Sequence, residues 1–327
     1  MLLALAGIGA GCTCERRQLA NINVSVEVQR LDQELFAVNP DSIEQQIPAL
    51  QDKYGDFFTH YCESIISVGT PDDLDFVDNL AGFLRDEVAY ESYQKTQAIF
   101  PSMDALNATL TKAFKRYKLN FPNDSLPQII AYVSGFNESV MLTENAVGIG
   151  LDKFLGADYE LYHELGFYAY LVRSMYPTKV PVDIVRSFAQ GLYPYAAQQD
   201  ELLNRMMWEG KLLYFTQQLL PETPDTALFG FSAAQLDLCR KNEAYMWLYL
   251  IENKLLFSTN AFTIAKFTQD RPFTQEFSRE APGKAANWLG YRIVRSYMKR
   301  NSEQTLAQLM LDTDYRRMLD GAGYRAR

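Results

Sequence analysis

The chain has 327 residues, 48% of them hydrophobic and 22% charged, which is enough apolar material for one large packed domain. Its net charge of −9 argues against a nucleic-acid partner, which would require a basic footprint. With two histidines in all, the chain is short of parts for most metal-ligand and triad chemistry.

The N-terminus, "MLLALAGIGAGCTC", is an apolar run too short to span a bilayer. It reads as the core of a secretory signal, and "GAGC" resembles a bacterial lipobox. Residues 1–11 are then the removed leader, Cys12 the lipidated residue and 12–21 the tether. A buried helix is the poorer reading, because Gly7, Gly9 and Gly11 fall within five residues. After residue 20 no apolar stretch is long enough to cross a membrane, so the expectation is a chain anchored by lipid. Cys14 lies on the tether. Cys62 and Cys239 are either a disulfide or, on balance, two buried thiols, and no zinc-type cysteine spacing occurs.

"INVSVEVQRLDQELFAV" (22–38) alternates as a strand through Val28, and "NPDSIEQQ" offers Asp41 or Ser42 as a helix cap. The pattern is helical to about residue 120. "PDDLDFVDNLAGFLRDEV" opens on Pro71, and a later segment sets Leu106, Leu110 and Phe114 on one face. The basic run Lys112 to Lys118 is a solvated helix face. "FPNDSLP" is a loop. Three strand candidates follow, at 128–135, 138–145 and 146–156.

"VPVDIVRSFAQGLYPY" (180–195) is an amphipathic helix with Val182, Val185, Ala189 and Leu192 as its apolar stripe. "LLNRMMWEGKLLYFTQQLL" (202–220) continues the helical pattern. So do 233–257 and a last segment that opens on Pro282 and sets Ala286, Leu289, Gly290, Ile293 and Tyr297 on one face. No repeat appears. A few strands among many helices predict a mostly helical α+β fold, a small central sheet enclosed by helices. The expected organisation is a single domain over 22–327, helical to about 120 and zinc-peptidase-like from about 125.

The helix at 180–195 carries Arg186, Ser187 and Gln190, and Glu209 stands nineteen residues after Gln190. That is the spacing of a zinc-hydrolase site, in which two histidines one turn apart flank a general base and a Glu on the next helix completes the set. Here Arg cannot ligate, Ser is no base near neutral pH and Gln is a poor ligand. The expectation is a zincin-like fold with its HExxH motif lost and no metal or cofactor. An Arg186–Glu209 ion pair would fill the space. His163-Glu164 in "YHELGFY" lacks a second His and reads as surface structure.

"VEVQRLDQELF", "AVGIGLDKFLGADYELY" and "APGKAANWLGYRIVRSYM" together resemble the gliding-motility lipoprotein B (GldB) family of Bacteroidetes. "LGYRIVRSYM" is also similar to predicted zinc-dependent proteases that keep HExxH. The resemblance implies an exported lipoprotein linked to surface motility or its secretion machinery, with no catalytic residues to carry over. The leading expectation is a non-enzymatic accessory or scaffold lipoprotein. It would be held to the cell membrane or outer membrane, face the periplasm and contact cell-envelope proteins. One alternative is a hydrolase using other residues, such as the serines of "SVGTPDD" or "YVSGFNES", neither of them a G-x-S-x-G elbow. The other is a peptide-binding module whose edge strand is "AVGIGLDKFLG", with Gly148, Gly150 and Asp152 lining the groove.

Overall fold

The computed structural model describes residues 17–326, so Cys12, Cys14 and the expected leader lie outside the described residues. A four-stranded sheet divides the molecule: β1 (Val28–Arg30), β2 (Gln128–Tyr132), β3 (Val140–Leu142) and β4 (Ala146–Gly150). Their order in space is β1-β2-β4-β3. β1 runs parallel to β2 and β2 to β4, while β3 returns antiparallel on β4. The fold is the mostly helical α+β architecture expected.

Both faces of the sheet are covered, which is why β2 and β4 read as continuous apolar runs without alternation. Period two still sorts their side chains. Ile129, Ala131, Val147 and Ile149 enter the larger core, while Ile130, Tyr132 and Ala146 enter the smaller one. The smaller core is built from the helices between residues 31 and 85, among them Asp56–His60, which runs on into a π-turn at Tyr61–Ile65. The larger is built on four long helices that position the site: α1 (Asp104–Asn120), α2 (Val180–Leu192), α3 (Leu202–Leu219) and α4 (Ala285–Arg300). The change of layer falls near residue 100, since Phe100 and Met103 already belong to the larger core.

Helices α3 and α4 cross at two glycines. A Cβ on Gly290 would stand 1.8 Å from the Met206 carbonyl oxygen, and one on Gly210 2.3 Å from the Gly290 carbonyl carbon. Only hydrogen fits between the two backbones, so this contact fixes how closely the helices approach. Cys62 and Cys239 are free and buried, and they lie in different cores, so no disulfide joins them. Burial pushes both thiols up, Cys239 to about 12.

Several boundaries differ from the sequence reading. β1 is confined to three residues, because the chain before it lies against α1. Val26 N–H donates to Thr111 Oγ1 (3.0 Å) and Val28 N–H to Asn107 Oδ1 (2.9 Å). The cap at 40 is Asn39, whose side chain accepts from Asp41 N–H. Pro71 sits in a turn held by Asp73, and its helix begins at Phe76. Pro282 likewise precedes its helix, which starts at Ala285 after Lys284 at φ 54°. Leu192, assigned to an apolar stripe, is 43% exposed, because α2 reaches its end there.

Candidate functional site

Helix α2 forms one wall of a cavity of about 390 Å³. Val182, Ile184, Val185, Phe188 and Ala189 bury its apolar face, and Phe188 stacks edge-on against Phe114 and Tyr117 of α1. That orientation leaves Arg186, Ser187 and Gln190 facing the cavity, where Glu209 of α3 meets them. All four residues picked out by the zinc-hydrolase spacing therefore share one site. The Arg186 guanidinium donates to Glu209 Oε2 at 2.5 Å. The neighbouring Glu209 charge holds Arg186 above its ordinary pKa against the opposing cost of burial.

Two more ion pairs line the same cavity. Lys179 pairs with Asp183 one turn on, and Lys284 with Asp270 at 2.7 Å. Burial lowers the Lys179 pKa, and Asp183 partly offsets that shift. Of these four, the Lys179–Asp183 pair had a sequence signal, its i,i+4 spacing. Asp270 and Lys284 come from a loop and a helix start with no pattern to mark them. Asn287 of α4 likewise has no signal in the sequence. Its Nδ2 donates to the Thr268 carbonyl (3.0 Å), while its Oδ1 is buried and has no partner. Among the described residues no hydrogen bond reaches the Ser187 hydroxyl or the Gln190 amide.

Neither histidine lines the cavity. His60 is exposed with Nδ1 against the Asp56 carbonyl, and His163 is exposed on the short helix Glu160–Glu164. Among the described residues no group of three or more His, Cys, Asp or Glu side chains is placed to hold a metal ion. Of the serines weighed as nucleophiles, Ser67 is exposed on a loop at φ 55°, and Ser139 lines the cavity with no hydrogen bond to its hydroxyl among the described residues. Ser134 gives its hydroxyl to buried Asp152 (2.9 Å).

The groove strand has to be corrected. β4 is paired on both sides, by β2 and β3, so it has no open edge. Gly148 and Gly150 make room for the protein's own packing. A Cβ on Gly148 would meet the Phe57 ring at 2.4 Å, and one on Gly150 the Glu138 carbonyl oxygen at 2.4 Å. Asp152 is a loop clamp whose carboxylate accepts from Ser134 N–H (3.0 Å) and Phe136 N–H (2.7 Å). Burial pushes its pKa up, and those bonds pull it back.

The open edge belongs to β3. Gly150 N–H donates to the Ser139 carbonyl (2.9 Å) and Thr143 N–H to the Ala146 carbonyl (3.0 Å). With Met141 opposite Gly148, the N–H and C=O groups of Val140 and Leu142 must point away from β4. Both residues line the cavity.

The family model described as gliding motility protein GldB matches residues 13–326. The chain belongs to the GldB family. No curated protein and no solved structure matches it. The zinc-peptidase likeness of this GldB chain therefore rests on residue spacing and the "LGYRIVRSYM" resemblance, with no matching structure behind it. Among its described residues, no helix is long and apolar enough to cross a membrane.

Proposed function

We propose that the protein is a non-catalytic accessory component of the gliding-motility apparatus or its secretion machinery. On this reading it is lipidated at Cys12, held to the cell membrane or outer membrane and turned to the periplasm. Its cavity is a recognition surface for a cell-envelope protein, built on a peptidase-like helix pair whose ligands are gone. A lipid anchor contributes about 0.8 kcal/mol per buried methylene, so a multi-acyl cysteine holds the chain firmly.

One observation carries the reading. Glu209, the single carboxylate at the spacing of a metal ligand, is engaged by Arg186, and no imidazole shares the cavity. A general base needs a free acceptor facing its substrate. Arg186 takes Glu209 Oε2 and offsets the negative charge on which a general base would draw.

The test replaces the pair by the neutral variant Arg186→Met/Glu209→Met in a gliding host of this family. Apolar side chains of similar volume in place of an ion pair are often neutral or stabilising. Surface spreading should be restored to the level of the unaltered gene. Loss of spreading with the protein folded and present would overturn the non-catalytic reading. Separately, Cys12→Ala should move the protein out of the membrane fraction, and continued membrane fractionation would remove the anchor from the account.

A further inference from the structure

We infer that the open edge of β3 takes an extended segment of a partner polypeptide as an additional strand, laid into the cavity beside α2. This rests on the reading of the cavity as a recognition surface and gives that surface its ligand class.

The two outer edges of the sheet are treated differently. The β1 edge is closed by α1, whose Thr111 and Asn107 side chains accept from Val26 and Val28 N–H. The β3 edge has no such cover. Among the described residues no hydrogen bond reaches the backbone groups of Val140 or Leu142. Nor does "ESVML" (138–142) carry the Pro or Lys that commonly blunts an exposed edge. A row of unsatisfied N–H and C=O groups facing a cavity is a template for an extended backbone.

The cavity wall suits such a ligand. Among the described residues, the Gln190 amide and the Ser187 hydroxyl line it without partners in the fold, and both can donate and accept. A peptide backbone offers donors and acceptors in alternation and matches this lining.

Charge narrows the class. Lys179, Arg186 and Lys284 are cancelled by Asp183, Glu209 and Asp270. Glu138, at the start of β3, makes no ion pair among the described residues: its Oε1 accepts from the adjacent Ser139 N–H, and buried Lys153, which donates to the Phe136 carbonyl, feels its charge without pairing with it. The site therefore has a surplus negative charge at one end, and the segment it takes carries a Lys or Arg there.

The experiment pans a displayed library of random linear peptides against the purified full chain, then follows amide exchange with a selected peptide bound. Enriched peptides should carry a basic residue. On binding, the amides of Val140 and Leu142 should slow, while Met141, already bonded to β4, should not change. Leu142→Pro removes an outward N–H that plays no part in the β3–β4 ladder. It should weaken the selected peptide about tenfold at unchanged melting temperature. If that variant does not fold, exchange on the unaltered chain decides alone. No enriched peptide, or slowed amides elsewhere, would overturn the inference. If peptide binding fails while Arg186→Met/Glu209→Met still restores gliding, only the strand inference falls. If peptide binding holds and that variant does not glide, the non-catalytic reading falls.

Discussion

Arg186 shows how a single side chain can set the chemistry of a site. Its position on α2 faces Glu209 across the cavity, and the two charges settle each other at 2.5 Å. Glu209 and Arg186 are 15% and 29% exposed, so water still screens the pair. The cost of breaking it is therefore below the about 3–5 kcal/mol of a fully buried pair, on the order of 1–3 kcal/mol. Glu209→Ala should lower the melting temperature by several degrees, whereas Glu164→Ala, exposed on the short helix Glu160–Glu164, should leave it within a degree or so. Equal effects in calorimetry would mean that the pair contributes nothing to the fold. This partnership was legible in the sequence because helical periodicity fixes which residues share a face. Asp152 was not, because its role depends on backbone amides of Ser134 and Phe136, and the loop that aims them has no periodicity.

Among the elements, the tightest constraint is the crossing of α3 and α4. Gly290→Ala places a methyl on the Met206 carbonyl, with backbone on both sides and no flexible side chain to yield. Overpacking of this kind costs about 1–3 kcal/mol, and more where the backbone must move. Gly82 lies exposed on the helix Phe76–Arg85, and a Cβ there would meet no atom within 4 Å. Gly82→Ala should stabilise by about 0.5–1 kcal/mol. Chemical denaturation of the two variants should show opposite signs, and a stable Gly290→Ala protein would mean that the helices can move apart. The elements themselves were readable as three apolar runs set off by turn residues, and as helices by their stripes. Strand order was not, because a strand buried on both faces shows no alternation and gives no sign of edge or centre. The apolar run of β4 therefore suggests an edge that β3 in fact provides.

On the scale of the whole molecule, the C-terminal segment is fastened by one buried cation. Lys211 of α3 donates to the carbonyls of Met310 (2.9 Å) and Asp312 (2.7 Å), at the end of the helix Leu306–Leu311. Burial pulls its pKa down to about 8, against about 10.4 for a free lysine. Between those values the unfolded chain binds the proton more tightly. This residue therefore makes the protein more stable as pH rises from about 8 towards 10, by up to roughly 3 kcal/mol. Denaturation at pH 7.5 and 9.5 should show a smaller gain for Lys211→Met than for the unaltered chain. An identical pH dependence would show that the ammonium is already solvated in the fold.

The pairing of Val28 with Ile129 has a consequence in time. Parallel neighbours so far apart in sequence cannot meet until everything between them has been made, and closing so long a loop is slow. The smaller core needs Ile130 and Tyr132 as well as the helices before residue 85, so neither half of the protein can finish ahead of the sheet. A chain delivered N-terminus first therefore keeps its smaller core open until about residue 150 has arrived, and its larger core open until α4, near residue 300, has followed.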